Sequence, residues 1–132
     1  MPFRINHIHI KAADPRKVAD WWAEAFALQI FGDETRPYGD RFIRCRTEDG
    51  AMLVTISGAR TGETLGPGDA SPHHGLEHIA IEVDDIEADI ARLVKLGARL
   101  QEGPIDVPGI GIRVAFIEVP EAVRVELMQM PK

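Results

Sequence analysis

The sequence predicts an α+β fold of two βαβββ modules in tandem, with curved mixed sheets around a shared cavity. Two observations predict it. The chain repeats itself at one constant spacing, and each repeat runs through the same order of hydrophobic patterns. RINHIHIKAADPRKVADWWAEAFAL is echoed by GLEHIAIEVDDIEADIARLVKLGARL. His78 lies 71 residues after His7, and Asp85 lies 71 after Asp14. Ile8 and Ile10 answer to Ile79 and Ile81, and Trp22 and Ala25 to Leu93 and Leu96, without a gap. Repetition of this kind marks a duplicated structural unit.

Within the first module (1–57), residues 5–12 alternate and are rich in β-branched side chains, the pattern of a half-buried strand. Asp14 is the expected N-cap and Pro15 the first residue of a helix. Val18, Trp21, Trp22, Ala25 and Phe26 recur at three-to-four spacing as its buried stripe. Strands are expected near 29–32, 41–46 and 51–57. The second module (76–132) repeats the order: a strand at 76–83, a helix over 86–96 ended by Gly97, then strands near 99–102, 111–119 and 123–130. Residues 58–75, rich in Gly, Pro and Ser, read as a surface linker inside one domain of 132 residues.

Composition narrows the classes of function. A formal net charge of −6 argues against a nucleic-acid partner and an anionic membrane surface. Cys45 is the sole cysteine, so no intrachain disulfide forms. The first residues lack the apolar core of a signal peptide, and no apolar run reaches the ~20 residues that span a bilayer. A cytoplasmic location is expected.

Strand alternation sorts the faces. Ile8 and Ile10 take the helix side of the first strand, which turns His7, His9 and Lys11 to the other. Ile79, Ile81 and Val83 do the same in the fifth strand, opposite His78, Ala80 and Glu82. In the last strand Val125 and Leu127 oppose Arg124, Glu126 and Met128. Val54 and Ile56 set the register of the fourth strand and leave Thr55 on the far face. Thr55 thus stands 71 residues before Glu126, as its repeat partner.

The element HI-x-I-x-x-x-D, present at 7–14 and again at 78–85, resembles the start of each module in the vicinal oxygen chelate superfamily. So does the closing Val125-Glu126-Leu127. That superfamily includes glyoxalase I, methylmalonyl-CoA epimerase, extradiol dioxygenases, fosfomycin-resistance enzymes and bleomycin-binding proteins. The resemblance covers nearly the whole chain. It implies paired modules around one divalent metal (Fe, Mn, Zn or Ni) and a homodimer. His7, His78 and Glu126 match three of the metal-ligand positions. The fourth, Glu or Gln in glyoxalase I and the epimerase, is Thr55 here. The turn 119–122 also departs from the family's usual Asp-Pro-Asp-Gly-like form.

Two imidazoles and a carboxylate leave coordination positions open for a substrate, an arrangement that serves Lewis-acid chemistry. The leading expectation is a metal-dependent glyoxalase-like lyase or isomerase acting on a small oxygenated substrate. The alternatives are an iron-dependent extradiol dioxygenase, a thiol transferase of the fosfomycin-resistance type, and a non-catalytic binding protein. His9, two residues from His7 on the same face, is the candidate general acid or base. Glu126 and Thr55 are the other candidate catalytic residues, with the Thr55 hydroxyl near a bound water. Arg44, Arg46, Arg113 and Arg124 are read as cavity-facing and as candidate anchors for a substrate carboxylate or phosphate.

Overall fold

The structure, a computed structural model, describes residues 2–132. Its elements follow in order: β1 (His7–Lys11), α1 (Pro15–Phe26), β2 (Gln29–Thr35), β3 (Arg41–Arg46), β4 (Leu53–Ser57), β5 (Ile79–Glu82), α2 (Ile86–Lys95), β6 (Arg99–Asp106), β7 (Arg113–Val119) and β8 (Val123–Gln129). The chain divides into two compact units, the first ending at Gly66 and the second beginning at Pro67. That division falls within the expected linker. Each unit is a βαβββ module with a four-stranded mixed sheet, ordered β1-β4-β3-β2 in the first and β5-β8-β7-β6 in the second. In both, the outer first strand runs parallel to the last strand and the other pairings are antiparallel.

The helices begin where short polar side chains take up free backbone N–H groups. The Asp14 carboxylate accepts from Lys17 N at 3.2 Å, and Asp85 accepts from Ala88 N at 3.1 Å. Pro15 occupies the first turn of α1. That helix stops at Ala27, which adopts a left-handed conformation with φ 57°. In α2, Glu87 and Asp89 sit at the N-terminal end and Arg92 and Lys95 at the C-terminal end, matching the helix dipole. Gly97 follows with φ 107°, a conformation that glycine reaches without a Cβ clash.

The apolar stripe of each helix buries against its own sheet. Val18, Ala19, Trp22 and Ala25 of α1 are buried, as are Ile10, Ile43, Cys45, Val54 and Ile56 of the first sheet. In the second unit Ile86 and Leu93 are fully buried together with Ala115, Ile117, Val125 and Leu127. Trp21 and Phe26 differ from expectation: they lie at the margin of the α1 stripe and stay half-exposed, and Ala19 takes a buried place. Trp22 meets Phe26 with ring centroids 5.0 Å apart.

Strands β2 and β6 run longer than the sequence predicts, through Gly32 and through Gly103-Pro104. Both are edge strands with register shifts at these points. An edge tolerates a missing N–H donor or a bulge that an interior strand does not. No helix among the described residues is long and apolar enough to cross a membrane.

The core predicts its own ranking of substitutions. Leu93→Ala should lower the unfolding free energy by about 2–5 kcal/mol, through lost burial plus a cavity. Asp14→Ala should cost only about 1 kcal/mol, the worth of one cap. Urea denaturation of both variants checks the ranking, and equal costs would contradict it.

Candidate functional site

Strand register determines which side chains share the face of the first sheet turned away from α1. His7 pairs with Leu53, His9 with Thr55 and Lys11 with Ser57 across β1 and β4. Across β4 and β3, Leu53 pairs with Arg46, Thr55 with Arg44 and Ser57 with Phe42. Facing residues in paired strands point the same way, so His9, Thr55 and Arg44 form one row, with Val54 on the helix side.

A polar cluster holds this face together. His9 Nε2 lies 2.7 Å from Ser57 Oγ, and Lys11 Nζ donates to the same oxygen at 3.0 Å and to the Gly58 carbonyl at 3.0 Å. The edge of the His9 ring meets Phe42 at 5.7 Å between centroids. Behind Phe42, Arg36 grips the fully buried Asp40 with contacts of 2.6 and 3.1 Å. The Arg36 guanidinium lies over the Phe42 ring at 4.0 Å. That ion pair holds the Asp40 carboxyl below its ordinary value. Partial burial holds the His9 imidazole below its ordinary value, and the charges of Lys11, His7 and Arg36 add to the effect against Asp40. Nearer the chain start, His7 Nδ1 sits 2.7 Å from Asn6 Oδ1.

The two candidate arginines of the first unit, Arg44 and Arg46, already have partners. Arg44 pairs with Glu34 at 2.7 Å. Arg46 lies over the Phe31 ring at 4.5 Å, a cation–π contact. Cys45 points to the helix side, and burial pushes its thiol up to about 11, which leaves it a poor nucleophile near neutrality.

In the second unit Ala80, Glu126 and Phe116 form the row that matches His9, Thr55 and Arg44. His78 precedes β5 by one residue. Its Nε2 lies 3.7 Å from Glu126 Oε1, and its ring edge meets Phe116 at 5.2 Å. Its Nδ1 lies 2.9 Å from Glu77 Oε1. The same Glu77 oxygen is 2.8 Å from Arg124 Nε. Arg124 is buried, with its side chain 6% exposed; it stacks over Phe116 at 4.0 Å and donates to Gln101 Oε1 at 3.3 Å. The His78 hydrogen bond and the Arg124 charge keep the Glu77 carboxyl below its usual range.

Arg113 requires a correction. It was expected on the face away from the helix, yet it pairs with Gln129 in a row with the buried Ala115 and Ile117. Its guanidinium reaches Glu87 of α2 at 3.0 Å and Asp106 at 3.0 Å. Gln129 likewise faces α2, accepting from Ile86 N at 2.8 Å. Arg113 thus ties the sheet to its helix and is removed from the substrate candidates.

Taken by itself, the second unit fits part of a metal site. A separation of 3.7 Å between His78 Nε2 and Glu126 Oε1 is less than the sum of two ordinary ligand bonds, about 4.0–4.3 Å. One ion can therefore touch both atoms. No group of three or more His, Cys, Asp and Glu side chains able to hold a metal ion is assembled among the described residues. His7 belongs to the first unit.

Sequence reasoning missed Asn6 and Glu77, which meet the Nδ1 atoms of His7 and His78. The signal was present, because Glu77 follows Asn6 by the same 71 residues. It also missed Phe116, whose ring joins His78 to Arg124, and the Arg36–Asp40 pair, which no local pattern reveals.

Two tandem βαβββ modules, each opening on a histidine strand, define the class: the vicinal oxygen chelate superfamily. The chain belongs to the glyoxalase-like domain family, whose model matches residues 7–114. Among solved structures it is similar to a glyoxalase family protein from Bacillus cereus, with a TM-score of 0.85 and 18% identity over 100% of this chain and 97% of that one. It is also similar to a glyoxylase/bleomycin resistance protein/dioxygenase domain from Frankia sp. EAN1pec, with a TM-score of 0.76 and 16% identity over 100% and 95%. A third is the fosfomycin resistance protein FosX of Listeria monocytogenes complexed with Mn(II) and sulfate, with a TM-score of 0.70 and 14% identity over 98% and 93%. At these identities the likeness concerns the fold. No curated protein matches the chain.

One pH dependence follows from the segment before β5. His73 Nδ1 lies 2.7 Å from the Ser71 carbonyl and Nε2 lies 3.0 Å from the Leu76 carbonyl. Carbonyls only accept, so the ring makes both bonds as the imidazolium. These two bonds raise its pKa, aided by the charges of Asp69 and Glu77. The sign is that of a raised folded value: the stabilisation is complete below about pH 6.5, the unfolded value, and is lost as pH rises through the folded one. NMR titration should place His73 above an ordinary histidine, and the His73→Gln variant should lose this part of the pH dependence. A His73 value at or below the ordinary one would refute the assignment.

Proposed function

We propose that His7, His78 and Glu126 together hold one divalent metal ion, and that the chain is a metal-dependent lyase or isomerase of the glyoxalase-like kind. Its substrate is a small oxygenated molecule carrying a carbonyl or carboxylate. The observation that carries this reading is the pairing of His78 Nε2 with Glu126 Oε1 at 3.7 Å on the non-helix face of the second sheet. His7 supports it as the repeat partner of His78, with its Nδ1 likewise engaged by the residue before it. A bound divalent ion supplies Lewis-acid polarisation of a substrate oxygen.

The chain's own residues would then divide the work. His9 stands in the row beside Thr55 and exchanges a proton with substrate; Ser57 and Phe42 hold its ring in place. Thr55 offers a hydroxyl where Glu126 stands in the second module. Arg44 and Arg46, on the same face, are the remaining candidates for a substrate anion. Arg124 is committed to Glu77 and Phe116, so a substrate anion would have to displace a buried ion pair to reach it.

Elemental analysis of protein purified without chelator should find about one metal per chain. Glu126→Gln and His78→Ala should each weaken binding by more than the ~10–100-fold that an outer partner costs. His9→Gln should keep the metal and lose on the order of 10²–10⁴-fold in rate, measured on the same sample against a panel of 2-oxo and 2-hydroxy acids. A protein that binds no metal, or a Glu126→Gln variant that binds it as well as the parent, would refute the reading.

We also propose a homodimer. Each sheet ends in two edge strands, and exposed edges call for a partner. Sedimentation at micromolar concentration should give twice the chain mass of 14.6 kDa; a stable monomer would count against it.

A further inference from the structure

We propose that Glu77 is the positioning residue of His78: it fixes the imidazole with its proton on Nδ1 and leaves Nε2 as the open donor beside Glu126. The proposal deepens the metal-site reading above and rests on it for its consequence, although the tautomer itself can be observed without a metal. A carboxylate carries no proton to give, so the 2.9 Å contact between Glu77 Oε1 and His78 Nδ1 is made only when Nδ1 donates. The neutral ring then presents its lone pair at Nε2, the atom 3.7 Å from Glu126. A carboxylate behind an imidazole also raises the basicity of the opposite nitrogen.

Glu77 is itself held. The Arg124 guanidinium, 6% exposed, meets the same Oε1 at 2.8 Å. Gln101 and the Phe116 face hold that guanidinium in turn, and Gln101 donates to the Ala70 carbonyl at 2.7 Å. His78 is therefore oriented from behind by a chain of fixed groups, with Phe116 against the edge of its ring. The first module repeats the device in neutral form, Asn6 Oδ1 against His7 Nδ1 at 2.7 Å, on an exposed stretch of chain. Glu77 is itself held by Arg124, whereas Asn6 lies on an exposed stretch, so His78 is the better-fixed of the two histidines and the loss of Glu77 should matter more than the loss of Asn6.

The test reads the tautomer first. Side-chain ¹⁵N shifts of His78 in the metal-free parent protein, recorded above the titration range of its imidazole, should report Nδ1–H. Glu77→Ala should shift His78 to a mixture or to Nε2–H, and should raise the Zn(II) dissociation constant about 10–100-fold by calorimetry. Asn6→Ala should have a smaller effect. Glu77→Ala leaves Arg124 buried without its carboxylate, so a folded Glu77→Gln variant serves as the second arm. Its amide oxygen still accepts from Nδ1, so the tautomer should survive with an intermediate affinity. Nε2–H in the parent, or a Glu77→Ala variant that keeps both tautomer and Zn(II) affinity, overturns the proposal. The metal reading fails by a separate result, His78→Ala binding Zn(II) as tightly as the parent; the tautomer data would still decide what Glu77 does.

Discussion

In each unit the first strand pairs in parallel with the last, β1 with β4 and β5 with β8, and the side chains of the candidate site take their direction from that pairing. A parallel pair cannot be joined by a tight turn and needs a long crossover. Here the crossover is the helix with the two strands after it, so the helix covers one face of the sheet and leaves the other for polar groups. The register is locked by what it buries. A slip of one residue in β4 would turn Val54 and Ile56 out and Thr55 and Ser57 in. Each buried Val or Ile contributes about 1.5–3 kcal/mol relative to exposure, so a slip forfeits several kcal/mol at once. The placing of His9 beside Thr55, and of Glu126 beside Ala80, is in this sense a by-product of core packing on the opposite face.

The charged side chains on that face obey a second constraint. A buried or half-buried ion persists only with a partner, because the cost of removing it from water exceeds what an apolar neighbour returns. Asp40 is fully buried and held by Arg36; Arg124 is nearly so and held by Glu77. Each of these arginines also stacks on a phenylalanine, Phe42 and Phe116, which pair with Ser57 and Glu126. An aromatic ring accepts a guanidinium face while blocking water, so each unit keeps a cation on this face already paired with a carboxylate. Reading arginines by strand parity alone treats each as an available fork, which explains why Arg113 looked like a substrate anchor in the sequence.

Periodicity made much of this molecule legible. The 71-residue repeat, the alternation of Ile8, Ile10, Ile79 and Ile81, and the Asp14 and Asp85 caps are local signals, and local physics decides them. Strand ends were less legible: Gly32 and Gly103-Pro104 read as breaks, and only the sheet order shows that they lie on edges, where a break is tolerated. Arg113 was misplaced because its face depends on pairing with Gln129, and nothing within β7 distinguishes a charged residue at the end of an apolar row from one on the opposite face. Asn6 and Glu77 precede their strands, where alternation no longer assigns a direction. Their roles emerge only from contacts to Nδ1.

The two modules differ where a duplicated scaffold would be expected to diverge in use. What the repeat preserves is the helix caps, the apolar rows and the leading histidines. What it does not preserve is the next position along the same face, His9 against Ala80, and the position across from it, Thr55 against Glu126. The second unit puts a carboxylate in the central row, paired with Ala80 on the first strand. The first unit puts an imidazole and a hydroxyl there, and the imidazole meets Ser57, whose hydroxyl also accepts from Lys11. Divergence at two positions leaves a carboxylate in the central row of one module and an imidazole with a hydroxyl in that of the other. Because both positions lie on the face opposite the buried rows, the exchange of residue types there leaves the packing that sets their direction intact.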